Sequence, residues 1–280
     1  MRKWMMGAVV SAGLIACSTP KEPVELNVAS FNLRLNTMSD SLNAWPYRAQ
    51  QVKDLIRFHE FEVFGVQEAL PEQMDFLATM TEFSYAGKGR DDGERAGEHS
   101  AVFYRNDRFT ALDKGDFWFS ETPDVPSKGW DATCCNRICS WVKLKEKSSG
   151  KELIFFSAHF DHEGAVAQLK SAEMMIDKIN KIGNGLPAIF VGDLNSVPTS
   201  DAYRVLSDKL KDAASVSETD PYGPEGTFNA FRWNRIPEAR IDYIFVNDPV
   251  SVSKYAVLTD SKEMRYPSDH FPVFARVRID

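Results

Sequence analysis

The sequence has little of what marks disordered, repetitive or membrane-spanning proteins. Its 280 residues include no low-complexity tract and no internal repeat. Beyond residue 16, no apolar run approaches the roughly 20 residues that a membrane-spanning helix needs. With 43% hydrophobic and 26% charged residues and no long linker, the chain is typical of one large globular domain with a sizeable buried core.

Positive charge is also in short supply. The chain has 33 Lys and Arg residues against 40 Asp and Glu residues, which gives a net charge of −7. Loss of residues 1–16 would remove Arg2 and Lys3 and no acid, and would change the net charge from −7 to −9. Such a balance provides no general field for a polyanion and argues against a processive nuclease on duplex DNA, although it leaves room for local basic patches.

Cysteine is scarce as well. Apart from Cys17 near the N-terminus, the chain contains only Cys134, Cys135 and Cys139. Three is an odd number, and a zinc site would need a fourth ligand and wider spacing. We therefore favour a structural disulfide or inert thiols over a metal site, and the pairing stays open.

The N-terminus has the pattern of a targeting segment. Arg2 and Lys3 precede the mostly apolar residues 4–16, a stretch too short to span a membrane. The sequence Leu-Ile-Ala-Cys that ends at Cys17 resembles the bacterial lipobox, in which a signal peptidase cuts before a cysteine that is then acylated. An ordinary secretory cleavage with an incidental cysteine is the alternative.

These features predict three segments. Residues 1–16 form a signal peptide, residues 17–24 hold the lipidated Cys17 and a short tether, and residues 25–280 form the folded domain. We expect an extracytoplasmic monomer that contacts a bacterial membrane only through the lipid on Cys17. The choice between periplasm and cell surface stays open.

Apolar segments along the chain alternate between strand-like and helix-like patterns. The pattern predicts strands at residues 26–32, 63–68, 100–105, 137–145, 153–159, 188–193, 241–246 and 271–279. It predicts helices at residues 47–61, 72–80 and 166–182. Interleaved strands and helices of this kind predict an α/β sandwich, in which sheets are packed inside helical layers.

Two loops have a distinctive composition. Residues 87–97 hold four glycines among six charged residues, and residues 120–133 hold two prolines and Trp130. Such segments are typical of loops at the rim of a site, where they set specificity.

Polar clusters follow or begin several of the predicted strands. Carboxylates at the ends of hydrophobic strands are costly to bury unless they are paired or bind a cation. The clusters contain Asn32, Gln67, Glu68, His159, Asp161, His162, Asp193, Asn195, Asp242, Asp269 and His270. Because α/β proteins place binding residues at strand ends, these side chains are candidates for a shared site.

The chain resembles the endonuclease/exonuclease/phosphatase superfamily, which has the deoxyribonuclease I-like fold, and would be a bacterial lipoprotein member of it. The resemblance extends from residue 26 to residue 275 and rests on six motifs in order: Asn32, Gln67-Glu68, His159, Gly192-Asp193-Leu194-Asn195, Asp242-Tyr243 and Ser268-Asp269-His270. It implies a four-layered α/β sandwich, with two packed, mostly antiparallel β-sheets flanked by helices.

The resemblance also implies a metal site. Glu68 would be the principal ligand, with Asn32 beside it and Asp269 as a further ligand or a support. Oxygen ligands of this kind suit Mg²⁺, which prefers octahedral geometry and keeps several waters, and Mn²⁺ is a possible substitute.

Further roles follow from the same resemblance. Asp193 fits the carboxylate that activates a water for in-line attack, and Asn195 fits a donor to a phosphoryl oxygen. His270 with Asp242 resembles the family's His-carboxylate pair, and whether His270 acts as base or as phosphate stabiliser stays open.

Other candidates are more peripheral. His159 resembles the second histidine of the deoxyribonuclease I branch, as general acid or phosphate ligand, and Glu98 resembles its partner glutamate. Candidate substrate-binding residues, which would clamp a phosphate or stack on a ring, are Arg34, Arg95, Arg137 and Trp130. Trp118 would wall the site or pack in the core, and Asp161 and His162 would serve the site or cap the following turn.

Membership of this superfamily fixes the bond type and leaves the substrate open. We expect a metal-dependent hydrolase of phosphoester bonds that acts on a small or short phosphorylated substrate outside the cytoplasm. The alternative is a nuclease, acting as a 3′-5′ exonuclease or an endonuclease on RNA or DNA. A binding lipoprotein without catalysis is disfavoured, because each catalytic position of the family holds a chemically competent residue.

Overall fold

A computed structural model describes Met1 and residues 23–280 as two six-stranded sheets packed face to face, with helices on the outer faces. The strands, in chain order, are β1 (Val24–Asn32), β2 (Val63–Gln67), β3 (Phe83–Ala86), β4 (Val102–Arg105), β5 (Phe109–Trp118), β6 (Ile138–Glu146), β7 (Glu152–His159), β8 (Ala188–Asp193), β9 (Lys211–Asp212), β10 (Asp242–Val246), β11 (Val250–Val257) and β12 (Val273–Ile279). The helices are α1 (Trp45–Phe58), α2 (Pro71–Ala78), α3 (Ala165–Gly183), α4 (Asp201–Ser207) and α5 (Ala213–Val216), with a 3-10 helix at Met38–Asn43.

The two sheets have a common design. The first has the order β11-β12-β1-β2-β4-β3 and the second the order β5-β6-β7-β8-β10-β9. Within the described residues, each sheet has one parallel pair near its centre, β1 with β2 and β7 with β8, and its other pairs are antiparallel. The predicted four-layered sandwich of mostly antiparallel sheets is confirmed.

Three apolar clusters hold the layers together. The central one lies between the sheets and includes Leu26, Phe155 and Val191. The second lies between the first sheet and α1 and α2, and the third between the second sheet and α3 and α4. A strand that is buried on both faces needs apolar residues at every position, which explains why β7 and β8 lack alternation.

The sheets approach each other closely at Gly65 in β2. A Cβ at this position would lie 2.5 Å from Val191 Cγ2 and 2.6 Å from Ser157 Oγ of the facing sheet. Two residues later, Gln67 donates to Ser157 Oγ at 3.1 Å and accepts from Ser30 Oγ at 3.3 Å. This contact fixes the relative position of the strands that end at the polar clusters.

The helix ends are set by local chemistry. Helix α1 ends at Phe58 rather than at the predicted residue 61, because Glu60 takes a left-handed conformation with φ 52° and the chain turns into β2. At the start of α3, Asp131 accepts hydrogen bonds from the backbone N–H groups of Val166 and Ala167. The helix ends at Gly183 and is capped by Asn184, which is left-handed with φ 45°.

Several elements were not predicted from the sequence: β3, β5, β9, β11, α4 and α5. Strand β5 is long but largely exposed in its middle, with a register shift between Ala111 and Asp113, so its apolar pattern is weak. The strand β1 begins at Val24, one residue inside the segment predicted as tether.

Residues 2–22, which include the lipobox, Cys17 and all of the predicted signal segment except Met1, lie outside the described residues. Among the described helices, none combines the length and the apolar character that crossing a membrane requires.

Candidate active site

The polar clusters meet in a pocket at one end of the sandwich, with a cavity of about 450 Å³. Its lining residues are Arg34, Leu35, Glu68, Arg90, Glu98, Cys134, Cys135, Arg137, His159, His162, Asp193, Asn195, Phe228, Ile241, Asp269 and His270. The size is typical of a small-molecule site.

Strand register places three of the predicted catalytic residues side by side. Asp193 ends β8, and its register partners are His159 at the end of β7 and Asp242 at the start of β10. His159 Nε2 lies 3.6 Å from Asp193 Oδ2, and His270 Nε2 lies 3.8 Å from the same oxygen. Asp193 is therefore flanked by one histidine on each side.

Asn32 connects this row to the facing sheet. From the end of β1, its Nδ2 donates to Asp193 Oδ2 at 2.9 Å and to Glu68 Oε1 at 3.0 Å. Its Oδ1 accepts from the backbone N–H of Arg34, and its backbone oxygen accepts from Ser268 Oγ at 2.7 Å. The polar ends of both sheets thus form one hydrogen-bonded centre.

Glu68 directly follows β2 in an unusual backbone conformation, with φ 60°. A left-handed non-glycine residue costs of order 1–3 kcal/mol and is held only by its surroundings. Here the carboxylate accepts from Asn32 and from the backbone N–H of Leu35 at 3.1 Å. Burial alone would raise the pKa of Glu68, but the charge of His270 and these hydrogen bonds outweigh it and lower the pKa.

The pKa of Asp193 is shifted in the opposite direction to that of Glu68. Burial, followed by the charge of Asp242, raises the pKa of Asp193 to about 7. Its Oδ1 accepts from the backbone N–H of Asn195 at 2.9 Å. A carboxylate with such a pKa can take up and release a proton near neutral pH, which suits a general base.

His270 is held by Asp242, whose Oδ2 lies 2.9 Å from His270 Nδ1. Burial alone would lower the pKa of His270, but the charges of Asp242 and Asp193 raise it well above its ordinary value. The imidazole is therefore protonated at neutral pH, and its Nε2–H faces Asp193. The second oxygen of Asp242, Oδ1, is buried and has no partner within the described part of the chain.

His159 is neutral, in contrast to His270. Burial and the positive charge of Arg137 lower the pKa of His159 well below its ordinary value. Its Nε2 lies 3.2 Å from Arg137 Nη1 and 3.1 Å from Asn195 Nδ2, which are both donors. His159 Nε2 therefore accepts, and the proton is on Nδ1, which faces Glu98 Oε2 at 3.8 Å.

Asn195 and Glu98 are more engaged than the sequence indicated. Asn195 Nδ2 contacts His159 Nε2 and also donates to the backbone oxygen of Phe160, each at 3.1 Å, so one N–H group holds His159 and the other fixes the amide of Asn195. Glu98 is paired mainly with Arg90, at 2.5 Å, and burial raises the pKa of Glu98.

Two of the three predicted metal ligands, Glu68 and Asp269, line the pocket, whereas Asn32 is fully buried and contacts Glu68. Asp269 is nearly buried, its pKa is raised by burial, and it lies 3.8 Å from Arg34 Nε. Two groups of three side chains, Glu68 with His159 and Asp193, and Asp193 with Asp242 and His270, bring their ligand atoms within 4.8 Å of one another. The oxygen donors and the lowered pKa of Glu68 fit a hard divalent cation.

Two of the predicted phosphate clamps line the pocket, and the third does not. Arg34 contacts Asp40 at 3.0 Å, and Arg137 is buried beside His159. The assignment of Arg95 to the pocket is wrong, because the glycine-rich loop folds back on itself and leaves this residue near the tip of its turn. There it is exposed and pairs with Asp75 at 3.0 Å.

Arg90 takes the place expected of Arg95. The backbone N–H of Arg90 donates to the oxygen of Glu98, which puts both residues at the base of the loop and beside the pocket. The composition of residues 87–97 signalled a rim loop, but backbone hydrogen bonds decide which arginine faces inward.

Trp130 is likewise not among the pocket-lining residues, contrary to the prediction. It is left-handed with φ 52° and packs against the apolar cluster under the second sheet. Trp118 is buried, and its Nε1 donates to the backbone oxygen of Arg90 at 2.7 Å, so it supports the glycine-rich loop from below.

The remaining candidates divide between site and scaffold. Asp161 caps the following turn, since its Oδ1 accepts from the backbone N–H groups of Glu163 and Gly164, whereas His162 lines the pocket. Cys134 and Cys135 form a disulfide at the pocket, and Cys139 is a free, buried thiol.

Comparison with known families identifies the family to which the chain belongs. Residues 27–270 match the profile of the Endonuclease/Exonuclease/phosphatase family. The chain belongs to this family, which acts on phosphoester bonds, and the resemblance carried by the six motifs is confirmed.

Solved structures of bacterial proteins are similar over nearly the whole chain. An endonuclease/exonuclease/phosphatase family protein from Bacteroides thetaiotaomicron is 43% identical, with a TM-score of 0.89 and coverage of 93% of this chain and 97% of that one. A mannosyl-6-phosphatase of the same species is 44% identical, with a TM-score of 0.85 and coverage of 90% and 99%.

Curated relatives are more distant. The 3'-5'-exoribonuclease subunit Ccr4 of the CCR4-Not complex of Mycosarcoma maydis is 23% identical, and the match covers 82% of this chain but 44% of that protein. An uncharacterized protein, R895, of Acanthamoeba polyphaga mimivirus is 24% identical over 67% of this chain and 32% of its own length. The chain thus spans less than half the length of either relative.

Proposed function

We propose that this family member is a divalent-metal-dependent phosphatase that releases phosphate from a small phosphorylated molecule outside the cytoplasm, with a sugar 6-phosphate as the leading candidate. One observation carries the proposal: Asp193, with its pKa raised to about 7, lies between a neutral His159 and a protonated His270 in a pocket of about 450 Å³.

Pocket size and charge support a small substrate. A pocket of this volume accommodates a molecule of drug or sugar size. The net charge of −7 disfavours a long polyanion. The 44% identity with a mannosyl-6-phosphatase over 90% of this chain supports a phosphorylated sugar.

Glu68, Asn32 and Asp269 are the residues that would hold Mg²⁺. When bound, the ion would polarise a phosphoryl oxygen and neutralise part of the developing charge. The ionised Glu68 is suited to this task because the charge of His270 and then its hydrogen bonds lower its pKa.

The chain's own residues divide the remaining work. Ionised Asp193 removes a proton from the water that attacks phosphorus. The P–O bond to the leaving group breaks, and the leaving oxygen takes up a proton from solvent to form the alcohol. The protonated Nε2 of His270 donates to a phosphoryl oxygen, and Asp242 keeps this imidazole charged. Asn195 orients His159, and Arg137 beside it presents a guanidinium to the phosphate.

A nuclease is the second candidate, and the similarity to the Ccr4 exoribonuclease favours it. Four substrates with the purified full chain and Mg²⁺ would distinguish the two: mannose 6-phosphate, glucose 6-phosphate, bis(p-nitrophenyl) phosphate and oligo(A). We expect the sugar phosphates to give the highest kcat/KM by phosphate release, and Asp193→Asn to abolish it. Faster shortening of oligo(A) than hydrolysis of either sugar phosphate would contradict the proposal.

The location outside the cytoplasm is proposed from residues 1–17 and is supported by chemistry in the folded domain. The Cys134–Cys135 disulfide lies at the pocket, with Cys134 exposed. Exposed disulfides persist in oxidising compartments and are rare in the reducing cytosol.

A further inference from the structure

The lining of the pocket divides into two kinds of surface. Charged and polar groups surround Asp193, and five lining residues are apolar: Leu35, Cys134, Cys135, Phe228 and Ile241. The proposed chemistry uses none of these five. Their presence in a pocket for a phosphate group calls for a substrate with an apolar part of its own.

The disulfide is fixed on the His159 side of the pocket. Arg137, two residues after Cys135, contacts His159 and lies 3.4 Å from Asp161. Thr133, one residue before Cys134, hydrogen-bonds through its hydroxyl to Glu163. Both flanks are therefore tied to the segment that follows β7, and the disulfide is a fixed wall rather than the tip of a free loop.

Phe228 lies on the other side. Its backbone pairs with that of His270, and the two rings are 5.0 Å apart. Its side chain keeps part of its surface open, since the residue is 39% exposed. Because β8 lies between β7 and β10, the disulfide on the His159 side and Phe228 on the His270 side flank Asp193.

A disulfide between adjacent cysteines is an unusual wall for a polar pocket. Once closed, it has no S–H donor and no thiolate, and it presents polarisable, weakly hydrated sulfur. An aromatic ring such as Phe228 offers a flat apolar face. Surfaces of this kind bind C–H groups and do not compete for the hydroxyls of a ligand.

We propose that the Cys134–Cys135 disulfide and Phe228 form an apolar clamp that selects phosphomonoesters whose leaving group is a ring with a C–H face, such as a pyranose, over acyclic phosphomonoesters. This inference rests on the proposed phosphatase function and narrows its substrate class. The phosphate enters the polar part of the pocket, while the ring lies between the two apolar groups.

Kinetic discrimination tests the clamp. The substrates are mannose 6-phosphate and glycerol 3-phosphate, and the variants are Cys134→Ser/Cys135→Ser and Phe228→Ala, with Phe228→Leu as the conservative control. We expect each disruptive change to raise KM for the ring substrate about tenfold and to lower the preference for the ring by the same factor, with Phe228→Leu in between. Equal losses on both substrates would overturn the clamp.

Reduction provides a matched measurement without mutation. Treatment with tris(2-carboxyethyl)phosphine opens the disulfide, so the wild-type chain should lose the same preference for the ring substrate. The Cys134→Ser/Cys135→Ser variant, which still contains Cys139, should not respond. If the wild-type chain keeps its preference for the ring substrate after complete reduction, the disulfide does not form part of the clamp.

Binding separates failure of the clamp from failure of the phosphatase proposal. The probes are the methylene phosphonate of mannose 6-phosphate and propylphosphonate, titrated calorimetrically in Mg²⁺. If the wild-type chain prefers the ring probe about tenfold and the variants do not, the clamp stands even where turnover of phosphate esters is absent. If the wild-type chain binds both probes equally, the clamp is wrong, whatever the turnover.

Discussion

His159 and His270 have the same side chain, but their surroundings shift their pKa values in opposite directions. Burial, followed by the charge of the Arg137 guanidinium, lowers the pKa of His159, whereas the charge of Asp242 raises the pKa of His270 against the effect of burial. Asp193 between them has a raised pKa, because it is buried and close to Asp242. Different surroundings thus give the two histidines different protonation states and different roles. Such differences are common in active sites that use an acid and a base side by side.

The first prediction concerns Glu68. Glu68→Gln retains the size of the side chain and removes the charge that a metal needs, so it should weaken Mg²⁺ binding and reduce hydrolysis by about 100-fold or more, in line with the loss of an ionised metal ligand. Isothermal titration with Mg²⁺ and phosphate release would measure both effects.

Glu72 offers a matched control for this experiment. It is outside the pocket, and its carboxylate accepts from Asn36 Nδ2 at 3.0 Å. Glu72→Gln should bind Mg²⁺ and turn over substrate as the wild-type chain does. Full activity of the wild-type chain in EDTA would remove the metal from the mechanism.

The second prediction concerns pH. Hydrolysis should fall as pH falls through the apparent pKa of the Asp193 site, because the base must be ionised. Since burial and Asp242 raise the pKa of Asp193, this acid limb should lie well above the ordinary aspartate value of about 4. A pH profile of kcat/KM with a limb near pH 4 would refute the assignment.

Asp242→Asn extends this test. It removes the charge that keeps His270 protonated, so turnover should fall by about 100-fold at neutral pH, with a much smaller change in KM. Unchanged turnover in this variant, together with an active His270→Ala, would make the pair structural.

Much of the site could be predicted from the sequence because its residues lie at the ends of strands. Apolar runs followed at once by polar residues marked Asn32, Glu68, His159 and Asp193, and the parallel pairs β1–β2 and β7–β8 bring such ends to one edge. The strands themselves were found from hydrophobic runs, and the largely exposed β5 was missed for lack of one.

Loops explain what the sequence could not predict. Whether Arg90 or Arg95 faces the pocket depends on the backbone hydrogen bonds within residues 87–98. These hydrogen bonds produce no periodic pattern in the sequence. Phe228 reaches the pocket through a backbone bridge to His270, 42 positions later in the chain, which composition does not indicate. The disulfide between neighbouring cysteines was one of several open pairings.

The third prediction concerns the contact between the sheets at Gly65. Gly65→Ala would place a methyl group 2.5 Å from Val191 Cγ2 and 2.6 Å from Ser157 Oγ, so the sheets must separate or shift. We expect a loss of about 1–3 kcal/mol in the free energy of unfolding. Thermal unfolding should show a Tm lower by roughly 2–4 °C per kcal/mol.

Gly183→Ala is the control, because a Cβ there meets only Ile154 Cγ2 at an ordinary 3.5 Å. This variant should unfold at or slightly above the wild-type temperature, since alanine favours the helix. A Gly65→Ala variant as stable as the wild-type chain would show that the sheets do not press together at this position.

At the scale of the whole molecule, an acidic domain would meet a membrane whose surface is itself negative. Juxtamembrane basic clusters are what draw proteins to anionic lipid, and a chain with net charge −7 has no general attraction of this kind. We therefore propose that any membrane association of this protein depends on a lipid at Cys17 and not on the domain surface.

The last prediction follows from that dependence. In cells that express the full chain, the wild-type protein should sediment with membranes and resist extraction with high salt, which breaks electrostatic contacts, but not with detergent. Cys17→Ala should leave the protein without a lipid, so it should appear in the soluble fraction or keep an uncleaved N-terminus. Mass spectrometry of the wild-type N-terminus should find residues 1–16 removed and an acylated Cys17. Cys139→Ala, a change at a buried thiol far along the chain, controls for loss of a cysteine as such. A soluble cytoplasmic wild-type protein that retains Met1 would overturn the anchor, and the Cys134–Cys135 disulfide would then have to persist in a reducing compartment.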